Sequence, residues 1–480
     1  MGDNAKLVTM TIWVPDLSAG SGPLYVRLAD KIEEDIAAGV LAAGSKLPPQ
    51  RDLAFDIGVT IGTVGRAYAM LRERGLVSGQ VGRGTYILDH NEHGAAESDQ
   101  LRGSFAGTRP VVVPAGKLPM DSTAAPNVGQ ARLIGEIAAQ IARERPEEVT
   151  SYTRRLPQPW TQAGVQWLSA AGWSPSLEAI VPALGGHSAI LAVIAAVTMP
   201  GDRILFEHLT YSSMARSTNL IGRRSVTADM DEHGLDPEDF ERVCAQQHPK
   251  IAFLVPCLHN PTLTIMPEAR RRDIVDIARR HNVWLIEDAI YAALLEEQPV
   301  PLAALAPERT FYVGSLSKSV SAGVRGGWVA SPPHFAPRVL TAYKMLTGGM
   351  PFMLAELAAR LVLSGEAEKI RARVRDEIAA RVEMTRAGFA GYDFTSHLNS
   401  PFIWMKLPEP WLSATFKHAA DKEGVLIDDE DEYKCGRTDR IFHRVRIGFS
   451  QPATREEVAD GLAKLRSLLD NPISGYDTYG

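Results

Sequence analysis

The sequence predicts two folded parts joined by a linker: a small α+β unit of three helices and a hairpin, then a doubly wound α/β domain ending in a smaller α+β subdomain. Three observations predict this. Apolar residues recur at helical spacing and then give way to glycine-punctuated alternation between residues 18 and 89; periodicity dissolves between 90 and 130; helical and strand-like segments alternate from 131 to 475. A chain of 480 residues is also too long for a single core.

The elements follow in order. Leu24, Leu28, Ile32 and Ile36 recur every fourth residue, one apolar stripe on a helix that stops before Gly39. Pro48 and Pro49 open a second helix, Gln50 to Ile57, and Gly58 lies past its end. Thr60 reads as the N-cap of a third helix whose Val64, Ala67, Tyr68 and Leu71 face inward and which Gly75 ends. From Leu76 to Leu88 short apolar runs alternate with turn glycines, as in a hairpin. Three helices and a hairpin make a winged helix-turn-helix.

Asp, Glu, Gly, Ala, Ser and Pro dominate from Asp89 to about Gln130, the composition of a linker. Helical segments such as Ala131 to Arg143 and Ala189 to Thr198 then alternate with β-like runs at 203–206, 251–255, 283–286 and 310–313, the pattern of a mostly parallel α/β sheet. This large part runs over about 160–345. After Pro351 come long Ala/Arg/Glu-rich helices and the strands 402–405 and 445–447, which suit a smaller α+β subdomain over about 346–475.

Composition narrows the function. A net charge of −6 excludes a general polycation, so nucleic-acid contact must come from a local cluster. Lys46, Arg51, Arg66, Arg72, Arg74 and Arg83 against Asp52, Asp56 and Glu73 form one. Three cysteines, Cys244, Cys257 and Cys435, are too few and too scattered for a disulfide framework or a zinc site, so no metal centre and a reducing cytoplasmic setting are expected. The longest apolar run, Ala189 to Met199, is too short to span a bilayer, and no leader of basic and apolar type opens the chain, so no membrane association is expected.

Chemistry concentrates in the larger part. Glu287-Asp288-Ala289-Ile290-Tyr291 directly follows an apolar strand, where an open α/β sheet carries ligand groups. Gly185-Gly186-His187 opens a helix at Ser188, so its backbone amides can cradle a phosphate. Lys318 sits in Gly314-Ser315-Leu316-Ser317-Lys318 and is followed by Arg325-Gly326-Gly327.

The segment Ser315 to Gly327 resembles the SxSKxxxxGxRxG signature of fold-type I aminotransferases. That resemblance implies pyridoxal 5'-phosphate (PLP) as cofactor, with Lys318 its Schiff-base lysine, Arg325, Ser315 and Ser317 on its phosphate, and Gly186 and His187 offering amides. It further implies that Asp288 holds the ring nitrogen protonated, that Tyr291 reaches the ring phenolate, and that Tyr211, in a stretch similar to ExPxY, stacks on the ring. His259-Asn260-Pro261-Thr262 resembles the NPTG turn and gives Asn260 the ring oxygen. Val445 to Phe449 resembles a late RLxF strand whose arginine, here Arg446, grips an effector carboxylate. The chain departs from these motifs at Leu263, Leu209 and His187, and the stretch Tyr152 to Trp160 lacks the usual glycine of a YxxPxG turn.

The first part resembles the winged helix-turn-helix of GntR-type repressors through residues 47–54, 59–68 and 82–85. There the motif positions held by Arg51, Thr63, Arg66 and Arg83 meet DNA. The whole order looks like the MocR subfamily of GntR-type transcription regulators. That likeness implies a cytoplasmic homodimer on double-stranded operator DNA. It also implies that a small amine or amino-acid effector reacts with the Lys318–PLP imine and alters operator binding, with slow or absent turnover. The alternative is an active PLP-dependent aminotransferase with an accessory N-terminal domain. Arg446 points to an amine that also carries an acid group.

Overall fold

The computed structural model describes residues 13, 15–17, 22–42, 44–80, 84–88, 113–435 and 440–471. The chain forms two compact units, Met1–Ala106 and Gly107–Gly480.

In the smaller unit the helices are Leu24–Ala37, Gln50–Asp56 and Ile61–Glu73, and the hairpin strands are Val77–Gln80 and Gly84–Ile87, paired antiparallel. Leu28, Ile32 and Ile36 of the predicted stripe are buried, whereas Leu24 is 43% exposed because it precedes the turn that packs. Thr60 caps the third helix, accepting from the Thr63 amide at 3.2 Å. Val64, Ala67, Tyr68 and Leu71 are buried. Gly65 meets the second helix closely: a Cβ there would lie 3.2 Å from Gln50 Oε1. The segment before the second helix joins the hairpin, with Leu47 N–H donating to Thr85 O at 2.8 Å and Ile87 N–H to Ser45 O at 2.9 Å. The unit is thus pinned as one winged helix around its own core.

The larger unit holds a seven-stranded sheet in the order Ile180–Leu184, Gly326–Ala330, Thr310–Ser315, Trp284–Asp288, Ile251–Leu254, Arg203–Glu207, Arg224–Ala228. Only Gly326–Ala330 runs antiparallel to its neighbours. The four β-like runs of the sequence are strands of this sheet. The other three strands carry no alternation that sets them apart from helix or loop. Helix Gly185–Val197 packs on the sheet as a nearly continuous apolar surface. Helices Phe352–Leu363 and Glu366–Gly388 lead to the smaller sheet, in which Phe402–Lys406 and Arg444–Gly448 pair antiparallel.

The predicted linker is shorter than its composition suggests. Leu118–Pro119 pairs with Val425–Leu426, Met120 is fully buried, and Ala125 N–H donates to Ser317 O at 3.0 Å. The stretch from 118 to 130 is therefore wall, not tether. Among the described residues no helix is long and apolar enough to cross a membrane.

Candidate functional site

The carboxyl ends of the central strands open onto a pocket of about 190 Å³. Such an edge is where an open α/β sheet offers loop residues to a ligand. Asp288 ends the strand Trp284–Asp288, and Ser315 ends Thr310–Ser315. Gly186 and His187 lie in the first turn of helix Gly185–Val197, whose leading amides have no intrahelical acceptor. All eleven residues assigned to the cofactor and effector from the sequence line this one pocket: Gly186, His187, Tyr211, Asn260, Asp288, Tyr291, Ser315, Ser317, Lys318, Arg325 and Arg446.

Lys318 Nζ donates to Thr123 Oγ1 at 3.0 Å and sits 5.6 Å from the Tyr291 ring centre. Thr123 Oγ1 is also 2.7 Å from Tyr291 Oη, so one hydroxyl bridges lysine and tyrosine. Sequence reading missed Thr123. It lies in the stretch whose composition reads as linker, and no motif marks it.

Asp288 is buried, and burial pushes its carboxyl up to about 7, while Lys318 and the Ile290 amide act in the opposite direction. The Ile290 N–H reaches Asp288 Oδ1 at 3.1 Å. Burial outweighs the pull of Lys318 on this carboxyl, so it is short of counter-charge, which a protonated ring nitrogen would supply. The phosphate end fits as well. A Cβ on Gly186 would stand 2.2 Å from Ile290 Cδ1, so any larger residue there would have to push the Ile290 side chain aside. Arg325, at φ +55°, folds against it and donates to Leu184 O at 3.2 Å. These residues fit pyridoxal phosphate.

The motif departures have local accounts. Leu263 takes φ +67°, the left-handed region, which explains why glycine is the easier occupant of that turn. Leu209 is buried and bridges to Lys434 on the smaller subdomain. His187 meets the Tyr211 ring edge-on at 6.0 Å, and burial lowers its pKa, with Arg325 adding to the effect.

Arg446 is almost wholly buried and its guanidinium is already engaged. Nη1 donates to Asn260 Oδ1 at 2.9 Å, and Nη2 donates to Asp121 O and Asp428 Oδ2, each at 2.6 Å. Asp428 stands directly opposite it on the neighbouring strand.

In the smaller unit Arg51 and Arg66 are exposed, at the start of the second helix and on the third. Thr63 is half-buried and its hydroxyl lies 3.0 Å from that of Thr60, so it serves the cap as well. Arg83 lies outside the described residues. Arg74 leaves the basic cluster: Asp30 and Glu33 hold it at 2.8 and 2.5 Å.

A lysine-bearing pocket on a doubly wound sheet, in a chain that also carries a winged helix, defines a regulator built on an enzyme's fold. Residues 165–462 match the family "Aminotransferase class I and II", and residues 24–87 match "Bacterial regulatory proteins, gntR family". The chain is 31% identical to the uncharacterized HTH-type transcriptional regulator YdeF of Bacillus subtilis, over 96% of this chain and 97% of that protein. It is 25% identical to the probable rhizopine catabolism regulatory protein MocR of Rhizobium meliloti, over 70% of this chain and 71% of that one. LysN, an α-aminoadipate aminotransferase from Thermus thermophilus, shares the fold with a TM-score of 0.69 at 21% identity, covering 78% of this chain and 97% of its own. The chain belongs to the MocR-like gntR-family regulators, which join a DNA-binding winged helix to a class I and II aminotransferase domain. Its cofactor is pyridoxal phosphate.

Proposed function

We propose that the protein is a PLP-dependent transcription regulator that senses a primary amine: the amine takes the place of Lys318 on the cofactor, and operator binding by the winged helix changes in consequence. When bound, the cofactor supplies an electrophilic carbon at which one amine can replace another. Thr123 Oγ1, 3.0 Å from Lys318 Nζ, would hold the lysine amine when it is not bonded to the cofactor. Asp288 would hold the ring-nitrogen proton, Tyr291 and Asn260 would meet the ring oxygen, and Arg325 with the Gly186 and His187 amides would hold the phosphate. Arg51, Thr63, Arg66 and Arg83 carry the DNA contacts. The protein works as a cytoplasmic homodimer.

One observation carries this reading: a complete set of cofactor-binding side chains converges on Lys318 in the same chain as a gntR-type reader. The test measures operator retention of the PLP-loaded chain with and without a panel of primary amines, with keto-acid turnover followed in parallel. An amine that shifts both the visible absorbance and the DNA affinity supports the proposal. Rapid transamination with unchanged DNA affinity would replace it with an enzyme carrying an accessory domain.

A further inference from the structure

The pocket's acid-gripping arginine already holds a carboxylate of its own chain. A guanidinium has five N–H donors, and a two-pronged grip on an acid needs Nη1 with Nη2 or Nε with Nη2. Both forks use Nη2. Here the two Nη2 donors go to Asp121 O and Asp428 Oδ2, and one Nη1 donor goes to Asn260 Oδ1. Nε is buried without a hydrogen-bond partner. No fork is open to an incoming acid group.

Asp428 is poorly placed to yield. It is fully buried, pairs with Arg446 across adjacent strands, and accepts the Tyr433 hydroxyl at 2.5 Å. The guanidinium lies 5.1 Å from the ring centres of both Phe402 and Tyr433, so it cannot reorient to free a fork without losing both faces. Displacing Asp428 would leave a buried carboxylate beside an acid newcomer, the costly half of a broken buried pair.

We propose that Asp428 determines effector specificity: by neutralising Arg446 it makes the pocket select primary amines with an uncharged far end over amines that carry a carboxylate or sulfonate. This rests on the amine-sensing reading above and names its substrate class. It also revises what Arg446 suggests from sequence alone, since the arginine is present but its charge is answered within the fold.

The experiment compares butylamine with 4-aminobutyrate, matched in length and in amine reactivity, by following the visible absorbance and thermal shift of the PLP-loaded full chain. The wild-type protein should bind butylamine tighter by on the order of tenfold, since the carboxylate of 4-aminobutyrate would lose water with no open guanidinium fork to pair it. Asp428→Asn should erase or invert that ratio by tightening 4-aminobutyrate. Tyr433→Phe, which loosens Asp428 while keeping its charge, should move the ratio the same way by less. A wild-type preference for 4-aminobutyrate, or a ratio unchanged in Asp428→Asn, overturns the assignment; if that variant does not fold, the wild-type ratio and Tyr433→Phe decide. A preference for the acid with an intact DNA response sinks the Asp428 proposal alone. Absorbance that no amine changes sinks it together with the sensing function.

Discussion

Asp288 should trade stability for cofactor binding, and Asp288→Asn separates the two. In the cofactor-free chain its carboxyl titrates near 7 instead of 3.8 because burial opposes the charge. A raised acid favours the folded state only while protonated, so its penalty is absent below about pH 4, grows as pH rises and is complete once pH passes about 7. The gap between 3.8 and about 7, at about 1.36 kcal/mol per pH unit, gives an upper bound of about 4 kcal/mol. Asparagine keeps an acceptor for the Ile290 N–H but buries an amide donor in its place, an offset of about 1–3 kcal/mol. The net gain above neutrality should therefore be about 1–3 kcal/mol, whereas near pH 4.5, where the penalty is only about 1 kcal/mol, the substitution should give no gain or a loss of up to about 2 kcal/mol. Urea unfolding of the cofactor-free chain reads this through tryptophan fluorescence, since seven of the eight tryptophans lie between Trp160 and Trp411. The same variant should bind PLP on the order of tenfold or more weakly, having lost the ring nitrogen's counter-charge. A stability change of equal size at pH 4.5 and pH 8, or a loss at pH 8, would refute the buried-charge argument.

Lys318→Ala should lose the visible band of the PLP-loaded protein yet keep operator binding, checked by spectroscopy and band shift on one preparation. Thr123→Val removes the hydroxyl shared by Lys318 and Tyr291 and should slow amine exchange and weaken PLP by about 1–2 kcal/mol, measured by stopped-flow absorbance and equilibrium binding. Arg66→Ala should relax sequence preference by about 1–3 kcal/mol at one base pair, while Arg51→Ala should weaken all sequences alike and lower the salt slope by about one; footprints and salt titrations tell these apart. Thr60→Ala should destabilise the winged helix by about 1 kcal/mol through its lost cap, seen in the unfolding midpoint of the smaller unit.

Much of this protein is legible in its sequence because local signals and spatial roles coincide. The 3.6-residue period of Leu28, Ile32 and Ile36, the Thr60 cap, and the glycines around the hairpin act within a few residues of themselves, so a linear reading captures them. The cofactor residues are legible for another reason. Asp288 and Ser315 end strands and Gly186 and His187 open a helix, while Asn260, Ser317 and Lys318 sit in the turns that follow strands, and the order of such ends along the chain is an order in space.

What the tertiary structure alone decides is pairing across long separations. Thr123 reads as linker until Leu118–Pro119 joins Val425–Leu426 and brings it under Lys318. The acidic run from Asp428 to Glu432 has the composition of a solvated turn, yet Asp428, Asp429, Glu430 and Glu432 are buried, because Arg446, Lys417, Lys434 and Arg216 meet them. A charge has no periodicity, and whether a carboxylate faces water or a guanidinium depends on which distant strand lies beside it. The sequence by itself determined the fold, the cofactor and its lysine; only the folded sheet, by setting Asp428 opposite Arg446, decided that the arginine's fork is closed.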